Sequence, residues 1–467
     1  MDLNGQQLKQ KAHHIGAVPE NYRLMIEDCC EEKQGRAFYV WEDADNEDRG
    51  ITVELDHEGS LISLTKEGAS LKTYKDTLPE ERLQQKALQF VERHYPHAAE
   101  AFVFQRENVT EDTVQYTYAQ TVLDLPLPQT GFSVTVGRNG EVKRFRYDGG
   151  TDSFAVPKQI IDKETVISHY LESVELNLAI EKIHQNLYKG GDDRPHLVYE
   201  ADLPFLSHPA DSSEESEMLQ VSMDEEETET TPLPLLPEAE RDADINEMIG
   251  FSSSLRKIRE IDFGDSIVTV WREGGDPEPT DFTMTGFFKE RNQNTLKIKK
   301  DKQSGKLKGM FSFIKAEGPP VLTEEACLQR ALQFLYRLYP NAGEFFRMHP
   351  LENEESGQNA HFQFDVQYEG MPLRAESVNI IISRANGRVI GFFGPEIEPE
   401  TLKEMNPSPA ISAEEAKAIF TEAFDVKLQW EREYKREKND HYRLVYRPIS
   451  PVFIDAHNGK VFIGKMI

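Results

Sequence analysis

Cysteine is scarce in this sequence: there are three in 467 residues, two of them adjacent at Cys29 and Cys30. That set builds no disulfide framework, and no Cys-x-x-Cys pair offers metal ligands, so a reducing compartment fits best. Also missing is any run of about 18 apolar residues, so no membrane-spanning helix is expected. The opening Met1-Asp2-Leu3-Asn4-Gly5-Gln6-Gln7 lacks the basic start and apolar core of a secretory signal. These absences predict a soluble, cytoplasmic chain. Positive charge is in deficit too, with 53 Lys and Arg against 82 Asp and Glu for a formal net charge of −29. Nucleic acid and anionic lipid are disfavoured as partners, because either needs a basic surface to displace counterions. Local basic residues such as Lys297, Lys299, Lys300 and Lys302 lie in an alternating, strand-like run and read as a solvated face.

Familiar catalytic signatures are absent as well. There is no Gly-x-Ser-x-Gly elbow, no His-Glu-x-x-His helix and no phosphate-cradling glycine loop followed by Lys-Ser/Thr. Gly149-Gly150, Gly190-Gly191 and Gly274-Gly275 have charged neighbours and read as turns. The acidic stretch from Asp43 to Glu54 partly imitates a calcium loop, but its glycine stands at position eight and not at six, so a hairpin loop between Trp41 and Ile51 is the better reading. With 82 acidic residues, carboxylate neighbours arise by accident and no chosen pair is informative. No catalytic, cofactor-binding or metal-binding residue is assigned.

What the sequence does contain is a repeat. Residues 86–96, Lys-Ala-Leu-Gln-Phe-Val-Glu-Arg-His-Tyr-Pro, return at 330–340 as Arg-Ala-Leu-Gln-Phe-Leu-Tyr-Arg-Leu-Tyr-Pro, an offset of 244. Leu83, Ala87, Phe90 and Val91 in one copy, and Cys327, Ala331, Phe334, Leu335 and Leu338 in the other, mark the apolar face of an amphipathic helix that ends at Tyr-Pro. Cys327 on that face reads as a core thiol and not a nucleophile. His94 and His97 straddle the helix end, and the counterpart of His94 is Leu338, which disfavours a shared metal or catalytic role.

Downstream, alternating strands close on Asn139-Gly140 and Asn386-Gly387, strong hairpin signals. Upstream, Ile51–Leu64 matches Leu296–Phe313, and the preceding strands share Trp41 and Trp271. Phe287-Phe288, Phe345-Phe346 and Phe392-Phe393 read as strand pairs with core burial favoured over a binding surface. A third piece repeats Ile161 onward at Ile411 onward, each a helix followed by strands, with a capping box at Ser412 and Glu415. The hairpin Val452–Phe462 finds no partner in the first half.

At 467 residues the chain exceeds one core, so at least two domains are expected. The fold class is α+β: two duplicated halves, each of antiparallel β meanders with packed helices, joined by an acidic disordered linker. The divisions are an N-terminal helix or tail at 1–19, a first half at 20–205, the linker at 206–250 and a second half at 251–467. The linker reading rests on fourteen acidic residues against one basic residue in that span. A coil of that length would permit the halves to move independently. Within it, Pro232 to Pro237 reads as a stiff spacer more than a docking site.

Leu-Thr-Glu-Glu-Ala at 322–326, Ile-Ser-Ala-Glu-Glu-Ala at 411–416 and Ile454-Asp455-Ala456 with Asn458-Gly459-Lys460-Val461 resemble PepSY-type units, the last of them at 409–467. Together with the Ala-Leu-Gln-Phe and Tyr-Pro helices they resemble the YcdB/YcdC repeat family of bacterial proteins. The resemblance implies a scaffold without catalytic residues or cofactors, associated with binding or modulating peptidases. The leading expectation is therefore a non-enzymatic protein- or peptide-binding repeat protein, engaging its partner by edge strands. The competing expectations are a hydrolase with carboxylates in a cleft between the halves, and an envelope-associated assembly protein.

Overall fold

Strand alternation sets the architecture: Ala37–Asp43 buries Ala37, Tyr39, Trp41 and Asp43 and turns the residues between them outward, the period-2 pattern of a sheet with one face covered. The computed structural model describes residues 3–29, 35–68, 77–211, 230–277, 280–315, 318–350, 357–433 and 441–465. In the first repeat, eight strands form one sheet in the order Tyr22–Cys29, Ala37–Asp43, Asn46–Leu55, Leu61–Lys66, Val142–Gly149, Gly131–Gly137, Thr113–Ala119 and Val103–Val109. The second repeat reproduces that order with Leu255–Asp262, Ser266–Glu273, Thr295–Asp301, Leu307–Ser312, Val389–Phe393, Met371–Ser383, Asn359–Tyr368 and Phe346–Met348. Every neighbouring pair within these two meanders is antiparallel.

The Tyr-Pro helices lie across the meanders as Glu80–His94 and Glu324–Leu338. Leu83, Ala87 and Val91 are buried in one, and Cys327, Ala331, Phe334 and Leu335 in the other. Burial pushes the Cys327 thiol above its ordinary pKa, consistent with a core side chain.

The third pieces do not stay with their own halves. The helix Lys163–Ser173 packs on the strand Asp425–Glu433, while the helix Ala413–Ala423 packs on Glu175–Lys182 and Phe453–Asp455. Equivalent residues point inward from both: Val166 and Tyr170 in one helix, Ala416 and Phe420 in the other. Their strands cross as well, since His208–Pro209 pairs with His441–Ser450 and Phe453–Asp455 pairs with Pro195–Asp202. The backbone bonds are reciprocal: Ala210 N donates to Leu444 O at 2.9 Å, and Ala456 N donates to Leu197 O at 2.8 Å. His208-Pro209-Ala210 is therefore the first-half counterpart of Ile454-Asp455-Ala456, a partner that sequence comparison misses because the two triplets share only alanine.

Each meander sends a hairpin tip into this exchanged body. Val122 O accepts from Trp430 Nε1 at 2.9 Å, and the Tyr442 hydroxyl donates to Pro128 O at 3.0 Å. On the other side Leu373 bridges Ile180, which joins the second meander to the first half's tail strands. One apolar cluster lies wholly between Leu8 and Phe145, whereas the larger one combines Ile161, Tyr170, Leu197 and Phe205 with the second meander and its tail. The exchanged tails tie the halves together by strand pairing in both directions.

The linker expectation is corrected at both ends. Residues 206–211 are in place through His208–Pro209, and Thr231–Pro232 pairs with Phe346–Met348. Leu233, Leu236, Met248 and Ile249 are buried, and the Tyr336 hydroxyl donates to Pro234 O at 3.2 Å. Counting charge over the whole span hid these spaced apolar residues. The acidic run Asp224 to Glu227 lies outside the described residues.

A second correction concerns Phe287-Phe288, which sit in a helix, Met284–Asn292, and not in a strand. This insertion docks on the first meander's edge, where Phe282 O accepts from Glu27 N at 2.7 Å. Phe345 and Phe346 are both core residues, while Phe392 is buried and Phe393 faces out.

Candidate functional site

The residues singled out from the sequence for possible chemistry are not brought together. His94 packs against Phe90 at a ring distance of 4.6 Å, and His97 is exposed in the left-handed region beyond the helix end. Asp43 accepts from Asn21 and Asp45 at a tight turn, so the calcium-like stretch is a hairpin. Among the described residues no group of three or more His, Cys, Asp or Glu is arranged to hold a metal ion. No described helix is long and apolar enough to cross a membrane.

What the structure adds is a cleft of about 540 Å³ on the second meander. Its floor is Thr269, Trp271, Ile298 and Leu307 from three adjacent strands. One wall is Tyr339 at the end of the Tyr-Pro helix, and the other is Ile245, Ile249 and Phe251. Lys300, Lys306, Arg337 and Glu398 stand at the rim. Such a volume, mainly apolar with a few polar groups at its edge, has the character of a binding site.

Register shows why the first repeat has no such cleft. Trp41 pairs with Ile51 as Trp271 pairs with Leu296, so Tyr39 matches Thr269, Val53 matches Ile298 and Leu55 matches Lys300. In the first repeat this face lies under the 12-residue helix Gly5–Gly16, which buries Leu8, Ala12 and Gly16. Tyr39, fully buried, donates to Gly5 O at 3.2 Å, and Leu55 is fully buried as well. The helix is well specified locally: Asn4 and Gln7 form a capping box, and it ends on Ala17 in a left-handed conformation.

In the second repeat the matching helix is only the four residues Ile245–Met248, again followed by a left-handed residue, Gly250. The chain before it takes another path, over the Tyr-Pro helix, where the Arg241 guanidinium lies 4.5 Å above the Tyr336 ring. Two turn glycines report the difference. A side chain on Gly59 would strike Leu3 at 2.7 Å, whereas nothing lies within 4 Å of the same position on Gly305. The cleft is thus the space that a helix fills in the other copy.

Its polar rim is uneven. Glu398 accepts from Lys306 at 3.0 Å and pairs with Lys308 at 2.6 Å. Burial raises its pKa, but those two ammonium groups outweigh burial and hold it below the ordinary carboxylate value. Burial, with Glu398 and Glu376 nearby, raises the Tyr339 hydroxyl. Lys300 has no carboxylate at ion-pair distance among the described residues.

The sequence profile described as the YcdB, YcdC repeated domain matches residues 5–149 and 238–396, which are the two meanders with the helical segments that precede them. This chain belongs to the YcdB/YcdC repeated-domain family. Across 458 residues it is 40% identical to the uncharacterized protein YcdB of Bacillus subtilis (strain 168), covering 97% of this chain and 96% of that one. Against the uncharacterized protein YcdC of the same organism it is 39% identical over 454 residues, covering 97% and 98%. Among solved structures, the Bacillus megaterium YpeB C-terminal domain overlaps 45% of this chain and 94% of its own, at 14% identity and a TM-score of 0.28. That likeness is too slight to carry an argument. Within this YcdB/YcdC family member, the matched span of the second repeat begins at residue 238, so the repeat includes the segment whose helix is shortened.

The cleft does not show when the copies are compared as patterns of elements. The signal was there: tyrosine against threonine at 39 and 269, leucine against lysine at 55 and 300. Lys300 is exposed, as a solvated strand face requires, and it also borders the cleft beside Ile298. A separate junction has no sequence signal. Burial, then Glu200 and Glu376, pushes Glu181 up to about 7 where the second meander meets the first half's tail.

Proposed function

We propose that this protein is a non-enzymatic binding protein whose second repeat receives a polypeptide segment of a partner in the cleft over Trp271. One observation carries this reading: the same sheet face is covered by a helix in the first repeat and open in the second. A duplicated fold that fills a site in one copy and vacates it in the other has a preformed receptor of known shape. The expected mode is a helix laid in a groove and not an added edge strand. The helix and hairpin tails, with their PepSY-like Ile454-Asp455-Ala456, would hold the receptor rigid, and a peptidase or envelope protein fits as the partner class.

The hydrolase reading has one observation in its favour, the raised Glu181 carboxyl. Its neighbour Glu200 is engaged by Arg374 at 2.7 Å, and a carboxylate junction between packed elements accounts for the raised carboxyl as well. Immobilised full-length protein with the natural sequence, compared with Thr269→Tyr, tests the proposal in a lysate of the native cell. A partner retained by the first and lost by the second supports it. A partner retained equally by both overturns it.

A further inference from the structure

The geometry points to an amphipathic helix with carboxylates along its polar edge as the occupant of the second-repeat cleft, with Lys300 as the group that meets one of them. This rests on the polypeptide-binding reading above and adds the chemistry of the partner.

The first repeat gives the shape of the occupant. There the matching face holds a helix through Leu8, Ala12 and Gly16, and Gly16 approaches so closely that a side chain on it would meet Ile51 and Val53 at 3.0 and 3.3 Å. Ile51 and Val53 correspond to Leu296 and Ile298, both buried in the second repeat, so the apolar track is retained. Replacing Tyr39 by Thr269 removes the bulk that donates to Gly5 O and widens the track.

The rim gives its charge. Leucine at 55 becomes lysine at 300, at a place where the first repeat excludes water completely. Lys306 is already committed to Glu398, and Arg337 lies 3.9 Å from Asp242. Lys300 alone of the three cations has no carboxylate partner among the described residues. An ammonium beside an apolar groove selects a partner whose apolar stripe is bordered by negative charge. The helix Gly5–Gly16 carries Lys11 on this side, the wrong sign for this cleft, while its Lys9 turns to the strand Tyr22–Cys29 and pairs with Glu27 at 2.6 Å. Lys11 reaches over the turn at Gly59, which matches Gly305, so that position on a bound helix stands over the turn that Thr295–Asp301 enters through Lys300.

The test titrates full-length protein with two labelled synthetic peptides, residues 3–18 of this sequence and the same peptide with Lys11→Glu, followed by fluorescence anisotropy. The acidic peptide is expected to bind about three- to tenfold tighter, a preference that shrinks as salt is raised. Lys300→Glu in the protein is expected to reverse it, and Thr269→Tyr to abolish binding of both. Equal binding of the two peptides, unchanged by Lys300→Glu, overturns the acidic partner while leaving the polypeptide cleft standing. Absence of binding by either peptide at millimolar concentration overturns both. A concentration-dependent dimer without peptide, lost in Thr269→Tyr, gives the cleft to a second copy and overturns the acidic partner.

Discussion

The Tyr446 hydroxyl donates to the carbonyl of Ile161 at 2.9 Å, 285 residues away in the chain, and Tyr199 makes the same bond to Ile411 at 2.9 Å. Each tyrosine stands on the hairpin of one repeat and reaches the chain leading into the helix of the other. The pair defines the exchange that locks the two tails together. Removing either hydroxyl leaves a carbonyl in a nonpolar setting without its donor, which costs about 1–2 kcal/mol. Tyr446→Phe and Tyr199→Phe are expected to lower the urea midpoint by similar amounts without changing the slope of the transition. A loss in one variant and none in the other contradicts the equivalence.

The exchange also places the folding boundary near residue 150. A fragment of residues 1–149 contains the whole of its apolar cluster, and a fragment of 150–467 contains nearly all of the other, lacking Leu127 and the partly buried Val122 and Leu125. Both are expected to unfold cooperatively. Residues 251–467 alone lack the helix Lys163–Ser173 and Phe205, so they are expected to be expanded and protease-sensitive. A cooperative transition in that last fragment speaks against exchanged tails.

Much of this was legible in the sequence, and unevenly. The Tyr-Pro helices, the Asn-Gly hairpins and the shared tryptophans fixed the two meanders, because periodicity and turn chemistry act locally. The exchange was not legible. His208-Pro209-Ala210 and Ile454-Asp455-Ala456 differ in composition, and only their backbone bonds to Leu444 and Leu197 show that they correspond. Which hairpin a helix packs on is a tertiary choice that no local pattern carries. The cleft sat between these cases, visible only once Tyr39 and Leu55 are set against Thr269 and Lys300.

That comparison yields an asymmetric pair of variants. Lys300→Leu puts an apolar side chain over an apolar floor and is expected to stabilise by about 0.5–1 kcal/mol. Leu55→Lys buries an ammonium under a packed helix and is expected to destabilise by roughly 3 kcal/mol or more. Thermal unfolding of both checks the register. Equal effects in the two positions contradict it.

Glu181 sets a pH dependence. Its carboxyl is pushed up to about 7 by burial first and by Glu200 and Glu376 after it, against an opposing contribution from Arg374. The folded state therefore holds this proton more tightly than the unfolded chain. Stability contributed by the neutral form is present at pH 4–5 and is lost as pH rises through 7. Glu181→Gln is expected to stabilise at pH 8 by roughly 1–2 kcal/mol, discounted for partial solvent exposure, and to change little at pH 5. Urea midpoints at the two pH values decide it, and an equal difference at both contradicts this assignment.

Hydrogen exchange of the full-length protein, with and without the Lys11→Glu peptide, tests the cleft most directly. The account predicts added protection in Ser266–Glu273, Thr295–Asp301 and Leu307–Ser312, and none in the matching strands Ala37–Asp43, Asn46–Leu55 and Leu61–Lys66. Protection confined to edge strands such as Val103–Val109, or shared equally by the two meanders, would contradict a receptor formed by the missing helix.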